Sequence, residues 1–347
     1  MEDIKTIKNM LIFFAVVLLF YLLKELSAIL LPFVLALLVA LVVQPLILFL
    51  NKKKVPNWIV FPFVTIISLS VLFFIGFIIG DTASQIYDQK AYLLSQLLTK
   101  TDYLLVFFNN TFDLKLDTTL LVSEVYKSLE SGTLNSILSN LAGGLGSLFS
   151  SSLFFALYYV MLLAGMTNYK EFLGYVGASK KDSVIEDYEN LQKSVYSYMT
   201  IKTLINIFTG LFTLVICWFF GIKFAIFWGF IAFVFNYIPN IGSIASVIFP
   251  ALMAFIQLDS IESVLIMTVI LSVSHFITGN IFEPIIMGNK LRLNTIFVLF
   301  GLVFWGYIWG IPGMILSVPL LVIIKIILEK NPELSMIGRL MGYPEKT

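Results

Sequence analysis

The sequence predicts an all-α polytopic membrane protein. It should have about six spanning helices, two Pro/Gly-broken re-entrant helical hairpins (or eight spans in all), and amphipathic helices outside the bilayer. Three observations carry this. Hydrophobic residues make up 59% of the 347 and charged residues 12%, about half the charge of an ordinary soluble domain. The apolar residues arrive in blocks of roughly 18 or more, the length that crosses hydrocarbon. Two blocks, 224–258 and 294–328, are too long for one span and are interrupted at the centre by proline and glycine.

The first apolar block covers 10–31 and the second 33–50, with little more than Pro32 between them, which predicts an antiparallel helical hairpin. Lys52, Lys53 and Lys54 follow, then a third block from Trp58 to Gly80. Positive charge marks the cytoplasmic side, so Lys5 and Lys8 share that side with Lys52–Lys54 and residue 81 emerges outside. Residues 81–143 hold seven acids against four lysines, net −3, as an external segment should. Their apolar positions, such as Leu93, Leu97 and Leu104, recur at amphipathic helical spacing. A glycine-rich stretch at 142–146 opens a fourth membrane helix over about 147–167. A charged amphipathic helix over 169–200 and a fifth membrane helix over about 201–221 follow. The regions are therefore 1–80, an N-terminal three-helix membrane part; 81–143, extracytoplasmic and amphipathic; and 144–347, which carries both broken segments.

Each broken segment has 35 residues, roughly 52 Å as a straight helix against a hydrocarbon core of about 30 Å. The first contains Pro239-Asn240-Ile241-Gly242 and the second Gly310-Ile311-Pro312-Gly313. Proline removes a backbone donor and glycine favours a turn, so each segment divides into two pieces. Opposed re-entrant hairpins put Lys290, Arg292, Lys325, Lys330 and Arg339 inside, with both termini cytoplasmic. Two kinked spans would put Lys290 and Arg292 outside. Paired Pro/Gly-interrupted segments point to a transporter's binding site, although packing kinks would leave the same trace.

Other classes are excluded. A net charge of +1 gives no footing for nucleic acid. One cysteine (Cys217) and one histidine (His275) cannot build a disulfide or a thiolate or imidazole metal cluster. No cleavable signal peptide is visible: the apolar sequence resumes directly after Lys24-Glu25. There is no nucleophile motif and no phosphate-cradling glycine loop, so the chain should be neither an enzyme nor an ATP-driven pump, and no cofactor is expected.

Several motifs carry a resemblance to a family. Gln44-Pro45-Leu46 precedes the basic turn Asn51–Pro56, and residues 198–210 open the fifth helix. Then come Asn236-Tyr237-Ile238-Pro239-Asn240-Ile241-Gly242, Glu283-Pro284-Ile285-Ile286-Met287-Gly288-Asn289-Lys290, and Gly310-Ile311-Pro312-Gly313-Met314-Ile315. In this order the elements resemble the AI-2E family, the autoinducer-2 exporter-like membrane proteins. Ser243 stands where many members carry proline. The resemblance implies a bacterial inner-membrane transporter and a homo-oligomer, a pentamer among the candidates. Its cargo would be a small polar metabolite such as autoinducer-2, or a monovalent cation exchanged for protons.

A small hydroxyl-rich cargo needs a few hydrogen-bonding groups in an otherwise apolar cavity. Asn236, Pro239, Asn240, Gly242 and Ser243 at the first break are the substrate-binding candidates. If the hairpin tips meet, Trp309, Gly310, Pro312 and Gly313 join them. The competing reading has Asn236 and Asn240 capping the half-helices. Ion coupling needs an ionisable intramembrane group, costly enough to persist mainly with a role or a partner. Glu283 is the first candidate, with Asn280 beside it; its bland reading is an interfacial acid paired with Lys290 or Arg292. His275 could relay protons or simply pack, bonded to Ser272, Ser274 or Thr278. Three functions stand: metabolite exporter, cation/proton antiporter using Glu283, and membrane scaffold.

Overall fold

The computed structural model describes residues 2–112, 153–165, 181–287, 293–332 and 334–342. The predicted features at 113–152, 166–180 and 288–292, Lys290 and Arg292 included, lie outside them. The described chain is helical, with one isolated antiparallel bridge, Leu293 to Gly342. Its helices are α1 (Glu2–Glu25), α2 (Ser27–Lys52), α3 (Asn57–Asp88), α4 (Lys90–Phe112), α5 (Leu153–Gly165), α6 (Lys181–Phe219), α7 (Ala225–Phe235), α8 (Ile241–Gln257), α9 (Ile261–Ile277), a π-helical stretch Thr278–Phe282, α10 (Glu283–Met287), α11 (Thr295–Lys330) and α12 (Ser335–Leu340). Five are long and apolar enough to cross a membrane: 27–44, 57–88, 192–219, 261–287 and 295–330. This is an all-α polytopic membrane protein.

The expected hairpin at Pro32 does not form. Pro32 sits inside α2, and the only interruption is Leu26 (φ −86°, ψ 14°). Helical bonds run straight across it: the Leu26 N–H donates to Leu22 O and the Leu30 N–H to Leu26 O, both at 2.9 Å. Proline has no N–H to donate, so the helix runs through Pro32 with one bond of its ladder missing. α1 and α2 therefore form one bent rod. With no reversal there, Lys5 and Lys8 need not share a side with Lys52–Lys54, and the parity argument for the N-terminus falls away. The expected boundaries at 80/81 and 200/201 also fall inside helices. α3 continues to Asp88, and the charged and apolar parts of α6 are one helix of 39 residues.

Both long segments reverse. In the first, α7 and α8 are separated by the turn at residues 236–240, and the Lys223 N–H donates to Gln257 Oε1 at 2.8 Å, joining the two open ends. At the tip, a Cβ on Gly242 would lie 1.7 Å from Phe235 O, an approach open only to glycine. In α11 the break is Gly310, at φ 64°, ψ −146°, a region glycine alone occupies readily. A Cβ on Gly313 would meet Trp305 O at 2.0 Å, and one on Gly301 would meet Leu321 at 2.5 Å. Residues eight and twenty apart along one straight helix cannot touch, so α11 is two antiparallel arms folded at Gly310.

Three apolar clusters hold the bundle. One joins α2 (Leu38, Leu41), α6 (Val195, Tyr198, Met199) and both arms of α11. A second joins α2, α3 and α5, with the Ser68 and Tyr159 hydroxyls 2.7 Å apart inside it. The third joins the end of α6, the open end of the α7–α8 hairpin and α9. α4 lies against that open end. Lys100 Nζ donates to Leu258 O at 3.0 Å and to Asp259 Oδ1 at 3.4 Å. Lys223 Nζ donates to Gln89 Oε1 at 2.7 Å.

Candidate functional site

α6 is the backbone of the site. Lys202, Asn206, Thr209 and Thr213 follow one another at i, i+4, i+7 and i+11, the spacing of one helical face, and all four are buried. An apolar helix places such a polar stripe against protein rather than lipid. The α7–α8 hairpin covers it closely because the helices cross at two glycines. A Cβ on Gly210 would lie 2.7 Å from Gly229 O, and one on Gly229 would lie 2.8 Å from Gly210 O. That close approach lets the tip reach the stripe. Asn236 Nδ2 donates to Asn206 Oδ1 at 2.8 Å, and the Tyr237 and Thr203 hydroxyls are 2.7 Å apart.

α9 closes the other side. Its His275 is buried with Nε2 3.3 Å from the Thr213 hydroxyl. Past Ile277 the helix opens into its π-helical turn, and Pro284 follows. Proline has no N–H to donate, so the ladder loses a bond here; π turns of this kind recur at functional sites. The turn delivers Glu283 to Lys202, whose ammonium donates to both carboxylate oxygens at 2.7 Å. The lysine side chain is 5% exposed and the glutamate 25%.

Between the hairpin tip, α6 and α9 lies a cavity of about 450 Å³, within the usual range for small-ligand sites. Asn236, Pro239, Asn240 and Ser243 line it from the tip, His275, Asn280 and Glu283 from the α9 side, and Lys202 from α6. Ile244, Val247, Ile248 and Phe276 form its apolar wall. Two predicted groups of residues, one for substrate and one for ions, thus share one cavity.

Asn236 and Asn240 make no capping bonds: Asn236 is spent on Asn206, and Asn240 turns the chain at φ 61° without a side-chain cap. Asn280 Nδ2 donates to Phe276 O at 3.1 Å. Gly242 only shapes the turn. The second tip does not join the site: Trp309, Gly310, Pro312 and Gly313 are absent from the cavity wall. The Trp309 indole N–H instead donates to Leu23 O at 2.9 Å, fastening that tip to α1.

Lys202 and Asn206 are the residues sequence reasoning missed. The signal was present, a lysine and an asparagine four apart in an apolar helix, with two threonines continuing the face. Three polar atoms of this region are buried without partners: Asn206 Nδ2, His275 Nδ1 and the Thr200 hydroxyl. Lost hydrogen bonds of this kind cost about 1–3 kcal/mol each; of the three residues, His275 lines the cavity. Among the described residues of the lining, Lys202 and Glu283 carry opposite charges and are paired with each other.

The AI-2E family transporter model matches residues 9–333. A Haemophilus influenzae protein named "Putative transport protein" is 30% identical over 329 residues, covering 93% of this chain and 92% of its own. The AI-2 transport protein TqsA of Escherichia coli is 30% identical over 309 residues, 88% of this chain and 87% of its own. The Escherichia coli "Putative transport protein YhhT" is 36% identical over 150 residues, 43% of each chain.

Proposed function

The chain belongs to the AI-2E transporter family, and from that premise we propose that it is a secondary exporter of a small, net-neutral polar metabolite such as autoinducer-2. The cavity carries this reading: amides and hydroxyls above an apolar wall, with the Lys202 ammonium already neutralised by Glu283. A net-neutral, hydroxyl-rich solute can satisfy those groups without bringing an unpaired charge into the membrane. The α7–α8 hairpin enters from the outer side and rocks against α6 to give alternating access. The protein works as a homo-oligomer in the bacterial inner membrane. Efflux of a labelled hydroxylated metabolite from proteoliposomes tests this. Asn236→Ala, which strips the tip of its amide, should cut efflux about tenfold if one buried hydrogen bond of 1.4 kcal/mol is lost. Efflux no faster than from empty liposomes sinks the reading.

The Lys202–Glu283 pair favours a second reading, a Na⁺ or Li⁺/proton antiporter in which Glu283 receives the cation. There the wild type shows Na⁺- or Li⁺-driven proton flux that Glu283→Gln abolishes, whereas the exporter shows no such flux even in the wild type.

Sidedness has its own expected result. α4 binds the open end of the first hairpin through Lys100 and Leu258, so an external α4 puts that opening outside and residue 290 inside. Cys217 is buried, which keeps it silent to polar maleimides. A cysteine replacing Lys290 should label from the cytoplasmic side alone; labelling from outside rejects the arrangement.

A further inference from the structure

We infer that Lys202, rather than a carboxyl group, is the proton carrier of cation exchange at this site; the inference rests on the antiporter reading. Among the described residues Lys202 is the only lysine or arginine lining the cavity, and its side chain is 5% exposed and held by both oxygens of Glu283. The pair is neutral as it stands. A monovalent cation entering the cavity has one carboxylate to bind, and that carboxylate is taken.

Two cations cannot share it, because a buried charge without a partner costs several kcal/mol. A free cation cannot shed its charge, whereas an ammonium can. One N–H bond of Lys202 breaks, the proton leaves to water on the side to which the cavity is open, and the cation takes the ammonium's place on Glu283. The site starts neutral (Lys202–NH₃⁺, Glu283–COO⁻) and ends neutral (Lys202–NH₂, M⁺, Glu283–COO⁻). One cation exchanges for one proton with no net charge moved. The amide and hydroxyl groups of Asn236, Asn280 and Ser272, which line the same cavity, supply further oxygens for the cation. Of the other titratable groups around the pair, His275 lines the same cavity, and Tyr198 lies within electrostatic reach of Glu283 and of Tyr237 at the tip. None of them replaces Lys202 as a cation held on the carboxylate.

The experiment is Na⁺- and Li⁺-driven proton flux in proteoliposomes, with ²²Na⁺ uptake measured in parallel and choline as control. Lys202→Arg decides. Arginine keeps the pair with Glu283 and so the fold, but it stays protonated in proteins, and both fluxes should fall by about tenfold or more. Lys202→Met frees the carboxylate, so ²²Na⁺ should still enter while the proton signal disappears. Size-exclusion profiles check that both variants are folded. Exchange at wild-type rates in Lys202→Arg overturns the inference, as does persistent Na⁺-driven proton release in Lys202→Met. No cation-driven proton flux in the wild type removes the antiporter reading itself, and this inference with it.

Discussion

Gly242→Ala is expected to abolish the first hairpin's tip and the cavity with it. The added methyl would sit 1.7 Å from the Phe235 carbonyl oxygen and 2.5 Å from its carbon. The clash is with backbone, so no rotamer change relieves it; the turn itself must open. Ordinary overpacking costs about 1–3 kcal/mol and more when backbone is displaced, so about 3 kcal/mol or more is expected here. Opening the turn also pulls Asn236 from Asn206 and Tyr237 from Thr203. Gly80→Ala in α3 is the control, since nothing lies within 4 Å of its Cβ and alanine is the better helix former by about 0.5–1 kcal/mol. Thermal unfolding of the detergent-purified protein, read by fluorescence-detected size exclusion, should show Gly242→Ala melting far below both Gly80→Ala and wild type. Equal midpoints would show that the tip is not built as described.

The second tip uses the same device. Gly313 fills against Trp305 O much as Gly242 fills against Phe235 O, each glycine meeting a carbonyl seven or eight residues earlier. The helices before and after each break can then fold flat on one another. The two tips differ in what surrounds them. The first presses on the polar stripe of α6 and walls a cavity; the second is fastened by Trp309 to α1, and Lys24 Nζ lies 4.1 Å from the Tyr307 ring. Similar breaks in the sequence thus serve different neighbourhoods, and only packing decides which one borders a site.

That difference marks how far the sequence could be read. Length against hydrocarbon thickness is a local argument that made both segments too long for one span; proline and glycine then marked the breaks at 239–242 and 310–313, next to the turn at 236–240 and the kink at Gly310. Pro32 shows where a local argument fails. A proline inside a helix looks the same in sequence as one in a turn, and here helical bonds simply continue through Leu26. Asn236 and Glu283 stood out because a polar group in an apolar run is costly wherever it sits. Their partners are 30 and 81 residues away on α6, a separation no periodicity reveals. Lys202 was legible only as one lysine near the join between a charged and an apolar stretch. Its role appears once α6 proves continuous and that join turns out to be buried.

Removing the lysine alone should therefore do more damage than removing the pair. Lys202→Ala leaves the Glu283 carboxylate, 25% exposed, without its ammonium inside an apolar bundle. Stranding one member of a buried pair costs about 3–5 kcal/mol, and replacing both with apolar groups of similar size is often neutral or better. Partial exposure of Glu283 brings the expected loss down to about 2–4 kcal/mol. Lys202→Met with Glu283→Leu should return the melting midpoint to near the wild-type value, yet stay inactive in both metabolite efflux and cation exchange. Suppose instead that the double variant transported normally. The pair would then be only a way of packing two polar side chains, and the cavity's function would rest on the amides of the tip. Suppose the single variant were as stable as wild type. The carboxylate would then already be well solvated, and the cation exchange drawn for Lys202 would lose its reason.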